Sequence, residues 1–221
     1  MTDTLFDPVE VRVLGALVEK KFTTPEYYPL TLNALRTACN QKSNRDPVVD
    51  FDDKTVVRAL ESLRDKQLAR QVSGGDQRVP RYYHLLHERL DLEVPALAAL
   101  CVLMLRGPQT TGEIRGRSAR LHEFADLDAV EAVLTQLTER EETLAILLPR
   151  QAGRKERRYA HLLTGPPEVT EEEGEGPVEA ATLEVRAENQ RLADLEEEVE
   201  RLRAELEALQ EEFRAFKGQF D

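Results

Sequence analysis

Metal and redox chemistry find little material in this chain. Its 221 residues hold only two cysteines and four histidines. Cys39 and Cys101 stand in apolar helical patterns, neither has a CxxC neighbour, and no HExxH occurs. Both thiols therefore read as small core residues rather than a disulfide or metal ligands. A glycine-rich strand-to-helix loop is lacking as well; Ser73-Gly74-Gly75-Asp76 fits a hairpin turn better than a phosphate cradle. His84 and His161 occupy equivalent places on two hairpins, which suggests a repeated structural role. His84 and His87, three apart on an expected strand, fall on opposite faces. No convergent set of titratable groups emerges, so the expectation is a non-enzyme with no metal and no cofactor. The acidic, apolar-poor start (Met1 to Pro8) reads as the opposite of a charged n-region and apolar h-region, so a secretory signal is not expected. The longest apolar run, Val94 to Leu105, is about half of the roughly 20 residues a spanning helix needs. No membrane partner is expected, and a cytoplasmic location is.

Charge is unevenly spread. The net charge is −12, with 42 acidic and 30 basic residues. From Pro166 onward there are 18 acids and 6 bases, which leaves 24 of each in residues 1–165. The body is neutral and the tail holds the whole excess. An acidic total therefore says little about what the body binds.

The body repeats itself. RYYHLLH (Arg81 to His87) returns 77 residues later as RYAHLLT (Arg158 to Thr164), and Val56, Leu60 and Leu63 correspond to Val130, Leu134 and Leu137 at an offset of 74. Each copy has the same order of elements. In the first, Asp7 caps a helix opened by Pro8, with Val13, Leu14, Leu17 and Val18 on its buried face. A second helix capped by Thr31 carries Leu32, Leu35 and Cys39. A third, after Asp52-Asp53, buries Val56, Leu60 and Leu63, and a hairpin follows from Leu68 to Val72 and Val79 to Leu86. The second copy runs as helices over 95–105, 111–121 and 128–140, with a hairpin of 144–148 and 158–163. Three helices closed by a two-stranded hairpin describe a winged helix. The expected fold is mainly α with small β-hairpins: winged-helix domains at 1–90 and 91–165, an acidic flexible linker at 166–182, and a C-terminal coiled-coil helix at 183–221. Two small cores of about 80 residues each call for some packing between them.

The stretches LNALRTACNQKSNRDPV (32–48), RGPQTTGEIRGRSARLHEFADL (106–127) and GRKERRYAHLL (153–163) resemble the YceH-like family, a group of bacterial proteins of unknown function. The resemblance covers about residues 5–165 and leaves the tail outside. It implies tandem winged-helix domains and no established activity. The family pattern has Pro where this chain has Thr111.

Phosphate contacts need Lys and Arg on the docking surface. The segment 36–45 holds Arg36, Lys42 and Arg45 without an acid, together with Asn40, Gln41, Ser43 and Asn44, which can bond bases or phosphates. The third helix adds Lys54 and Arg58, and the hairpin adds Arg70, Arg78 and Arg81. Equally, 40–44 fits a helix cap that orders the loop after it. The third helix of the second copy, 126–142, carries six acids and only Arg140, so the major groove would repel it. Its wing is basic, with Arg150, Arg154, Lys155, Arg157 and Arg158 against Glu156, and Arg115, Arg117 and Arg120 are candidate helpers of a wing contact. Either this wing touches nucleic acid or it is a solvated tip. The same acidic helix fits a protein-binding surface. Duplex DNA and a protein adaptor role are thus the two partner classes.

In the tail, Leu192, Leu195, Val199, Leu202, Leu206, Leu209, Phe213 and Phe216 recur at alternating spacings of three and four, a heptad seam. In a parallel pair Arg191 faces Glu196, Glu198 faces Arg203 and Glu212 faces Lys217. Glu205 meets Gln210, and no pair is repulsive. The expectation is a parallel coiled-coil dimer; a helix folded back on its own chain is the alternative.

Overall fold

The computed structural model describes residues 6–74, 77–150 and 156–167. Helix starts follow the caps. In α1 (Pro8–Thr23) the Asp7 carboxylate accepts from Val9 N at 2.6 Å, and Asp7 N donates to Glu10 at 2.8 Å. A short 3-10 turn, Pro25–Tyr27, and the two-residue strand β1 (Leu30–Thr31) lead into α2 (Leu32–Cys39), whose first turn is capped by Thr31. Asp52 caps α3 (Asp53–Asp65) through Thr55 N at 2.8 Å. The strands β2 (Ala69–Gly74) and β3 (Gln77–His84) then form an antiparallel hairpin. After a one-turn helix, α4 (Leu86–Arg89), the order repeats: α5 (Val94–Arg106), α6 (Thr111–Ser118), α7 (Leu127–Glu139), β4 (Ala145–Leu147) and β5 (Tyr159–His161). The protein is mainly helical with small antiparallel sheets.

The repeat reaches further than its sequence signature. β1 pairs with β3, Leu30 opposite Tyr82, and makes a three-stranded sheet in the order β1-β3-β2. In the second copy Gln109 and Tyr159 exchange backbone hydrogen bonds of 2.9 and 2.8 Å at the matching place. Buried His84 lies opposite Ala69, and His161 lies opposite Ala145. The small partner leaves room for the imidazole.

The two small cores merge into one. Residues 10–19 of α1 and 96–105 of α5 are all buried, so both helices are covered on every side. A helix apolar all round belongs inside a protein, which is the place of the long apolar run. The two helices cross closely at Gly15, where a Cβ would stand 2.9 Å from Leu105 Cδ2. Further clasps are Phe6 N to Leu163 O at 2.8 Å and Asp46 N to Leu105 O at 2.9 Å.

Several expectations need correction. β3 stops at His84, not at residue 86, because the chain turns into α4 at Leu85. His84 and His87 therefore do not part to opposite faces; their rings meet edge to face with centroids 5.3 Å apart. α6 ends at Ser118 rather than residue 121. The hairpin turn at 75–76, the second wing tip at 151–155, nearly all of the linker and the whole coiled-coil segment 183–221 lie outside the described residues.

Candidate nucleic-acid interface

On α3 the buried positions Val56, Ala59, Leu60 and Leu63 define one face. A 3.6-residue period then turns Lys54, Arg58, Glu61 and Asp65 outward, and all four are exposed. Along this line the charge is basic in the first half and acidic in the second, with Asp53 and Arg64 exposed to either side of it. On the hairpin, the pairing of Arg70 with Tyr83 and Val72 with Arg81 places these four on one side. Ala69, His84 and Tyr82 face the core. Arg70 and Val72 are exposed, whereas Arg81 donates to Pro29 O at 2.8 Å. Between α3 and β2 lies a shallow groove of about 70 Å³ bordered by Val57, Glu61, Arg64, Arg70 and Gln71. That is far below the roughly 300 Å³ where small-molecule pockets begin.

The segment 36–45 divides sharply. Arg36 forms a surface bridge to Asp53 at 3.0 Å, with both side chains over a third exposed, so the pair is weak and exchangeable. Asn40 closes the α2–α3 loop: Phe51 N donates to its Oδ1 at 2.9 Å, and its Nδ2 donates to Phe51 O at 2.8 Å. Gln41 accepts from Lys20 at 3.3 Å and from Arg45 at 2.8 Å. Lys42, Ser43 and Asn44 are exposed. Arg45 is not a surface cation. It is 6% exposed and forked on Glu19, with Nη1 to Oε1 at 3.1 Å and Nη2 to Oε2 at 2.6 Å. Its Nε and Nη2 also donate to Ala38 O at 3.1 and 2.8 Å. A guanidinium surrounded by carbonyls and a carboxylate is a core tie, and no phosphate reaches it. Burial opposes the charge on Glu19, but the hydrogen bonds and charge of Arg45, then Lys20, hold its carboxyl below the usual range.

Much of the second copy's positive charge is likewise committed. Arg158 donates to Pro108 O at 2.8 Å and pairs with Glu113 at 3.0 Å. Arg117 bonds Gln109 and Glu113, and Arg115 donates to Ala125 O at 2.8 Å. Arg157 is exposed, with Nε on Leu148 O at 3.3 Å. Arg120 and Arg150 are exposed. Arg154 and Lys155 lie outside the described residues, and Arg78 has only its backbone within them. α7 offers Asp128, Glu131 and Glu139 to solvent, has no base along its length, and leaves Leu127 exposed at its start.

The structure thus gathers Lys54 and Arg58 on one helix face, with Arg70 on the hairpin beside it and Lys42-Ser43-Asn44 on the loop leading in. It withdraws Arg45 and Arg158 into structural pairs. Sequence reasoning missed two residues that mount the loop, Arg12 and Glu19, and read Gln41 as a nucleic-acid contact where it bonds Lys20 and Arg45. Their signal was present: Arg12 and Glu19 are seven apart on an apolar helix and need buried partners.

Cys39 and Cys101 are buried, and burial pushes the Cys39 thiol up to about 12. Both are core residues. Among the described residues no three His, Cys, Asp or Glu side chains are grouped to hold a metal ion. No helix among them is long and apolar enough to cross a membrane.

A family model described as a protein of unknown function, DUF480, matches residues 6–154. The chain is 60% identical over 197 residues to a UPF0502 protein of Geobacter metallireducens, covering 89% of this chain and 90% of that one. It is 55% identical over 219 residues to a UPF0502 protein of Geobacter sulfurreducens, covering 99% of this chain and all of the relative. A UPF0502 protein of Geotalea daltonii is 57% identical over 196 residues, 89% of each chain. The match to the Geobacter sulfurreducens protein takes in the heptad segment as well as the body.

Proposed function

The chain belongs to the DUF480 family of uncharacterised bacterial proteins, and on that premise we propose that it is a non-enzymatic, tandem winged-helix protein that binds duplex DNA as a dimer in the cytoplasm. The observation that carries this reading is the outward face of α3. Lys54 and Arg58 are exposed one turn apart on the third helix of a three-helix and hairpin unit, the element that enters the major groove in helix-turn-helix proteins. Arg70 on the hairpin and Lys42 on the preceding loop flank it with exposed cations. Lys and Arg at these places neutralise phosphates, and Asn44 and Ser43 offer hydrogen bonds. The dimer rests on the heptads from Leu192 to Phe216, a sequence argument.

A second reading has its own observation. α7, the counterpart of α3, presents Asp128, Glu131 and Glu139 and the exposed Leu127 without a cation. That surface suits a basic protein partner and repels phosphates. Binding of the full chain to duplex DNA across a salt series separates the two readings. The DNA reading expects affinity to fall steeply, by orders of magnitude between about 50 and 200 mM salt. No binding at the low-salt end leaves the protein adaptor.

A further inference from the structure

The loop between α2 and α3 is held by unusual means. Asn40 pins its mouth to Phe51 in both directions. Arg12, on α1, spans its two limbs: Nη1 donates to Cys39 O at 3.3 Å and Nη2 to Pro47 O at 2.7 Å. This guanidinium is 4% exposed, bonds carbonyls rather than a carboxylate, and leaves Nε without a partner. Burial, then the neighbouring Arg45, pulls its pKa below the ordinary guanidinium value. Arg45 fastens the loop from within, bonding Ala38 O, Gln41, Asn44 O and Glu19. On the return limb Asp46 N donates to Leu105 O. Outside these attachments stands an exposed apex, Lys42-Ser43-Asn44, with Asn44 in the left-handed region at φ 60°. Desolvating two cations to fix a surface loop is costly, and apolar residues of similar volume would serve a core as well or better. A loop built this way is rigid before it meets anything, and rigidity pays off where the loop must bind.

The apex has the chemistry of a phosphate site: an ammonium, a hydroxyl and an amide, all hydrogen-bond donors, with no carboxylate among them. The loop's acids, Asp46, Asp50 and the α3 cap Asp52, lie on the return limb; Asp50 is turned to Asn40 at 3.4 Å, and Asp52 accepts from Thr55 N at 2.8 Å. The mouth of the loop closes at Phe51, directly before the α3 cap Asp52. Apex and recognition face therefore move as one piece. Resting on the DNA reading above, we propose that Arg12 and the Glu19–Arg45 pair are positioning residues, holding Lys42-Ser43-Asn44 as a prebuilt element that grips the phosphate backbone of duplex DNA beside the start of α3.

The test uses the full chain, a random-sequence duplex pool and a salt series, with wild type measured first. The variant K42A/S43A/N44G touches none of the buried attachments, and glycine keeps the positive φ of residue 44. It should melt like wild type, bind more weakly, and lose about one from the magnitude of its salt slope. Arg12→Met should raise amide exchange across 40–52 and weaken DNA binding about two- to tenfold at a temperature where it is folded, the penalty of ordering a freed side chain on binding. A purely structural role would alter exchange and melting and leave affinity untouched. If K42A/S43A/N44G binds as wild type at every salt concentration, the apex is not a contact, whatever Arg12→Met does. If the loop of Arg12→Met opens with no change in affinity, positioning is refuted. Wild type that binds no duplex overturns the DNA reading together with this one, and is told apart by the first curve.

Discussion

Arg45→Ala is the sharpest perturbation this fold offers. The side chain has no exposure, and it donates to both oxygens of Glu19, to Ala38 O, to Gln41 and to Asn44 O. Truncation leaves the Glu19 carboxylate, whose side chain is 12% exposed, with Lys20 at 3.1 Å as its remaining cation. It also takes both guanidinium donors from the buried Ala38 carbonyl. Removing one partner of a buried pair costs about 3–5 kcal/mol. Lys20 and water entering the space soften this, so the expected loss is about 3 kcal/mol, the low end of that range. In a protein of this size that lowers Tm by roughly 6–12 °C. The assay is urea and thermal unfolding followed by far-ultraviolet circular dichroism for wild type, Arg45→Ala, Glu19→Ala and the double variant. The double variant should be less destabilised than the sum of the singles, by about 1–3 kcal/mol. Replacing the pair with apolar residues, Glu19→Leu with Arg45→Met, should cost less than Arg45→Ala, since no buried charge is left alone and only the buried Ala38 carbonyl loses its donors. An Arg45→Ala protein within about 0.5 kcal/mol of wild type would refute the buried-pair argument. So would singles that simply add.

Stability should fall as the solution is acidified from pH 6.5 towards 5. Burial, then the charges of Lys21 and His87, lowers His84 to about 3, and burial lowers His161 to about 4. Their folded pKa values lie below the unfolded ones, so the unfolded chain binds more protons below about 6.5 and acid drives unfolding. Above that pH the effect vanishes. His84→Phe should flatten the slope in urea titrations between these two pH values, and an unchanged slope would show that the imidazole is already protonated or solvated. Glu19, held below its usual range, adds its own loss only at lower pH, as acid passes through the carboxylate range. Deleting residues 183–221 should convert a dimer to a folded monomer in sedimentation experiments. A full-length monomer, or a truncated body that stays dimeric, would show that the heptads do not join two chains.

The local grammar of this protein was open to reading from the chain alone. Asp7 and Thr31 do cap helices, because a short acceptor beside free backbone N–H groups acts over three residues. The repeat and the apolar periods located three helices and a hairpin twice, since each period is a local property of one element. The acidic weight of the tail and its heptads are likewise plain in sequence.

Tertiary structure decided what lies far apart along the chain. Arg45 sits in a polar run and reads as surface, yet Glu19, 26 residues earlier, draws it into the core. Arg158 reads as a wing cation, yet Glu113, 45 residues earlier, claims it. His84 and His87 touch only because the chain bends at Leu85. The merging of two cores at Gly15 depends on α1 and α5 meeting across 86 residues of separation, as Cys101 and Gly15 do. Which cations remain for a partner is therefore a matter of which acids and carbonyls the fold brings to the others. The sequence alone shows the charges; only packing separates those that hold the protein together from those left facing water.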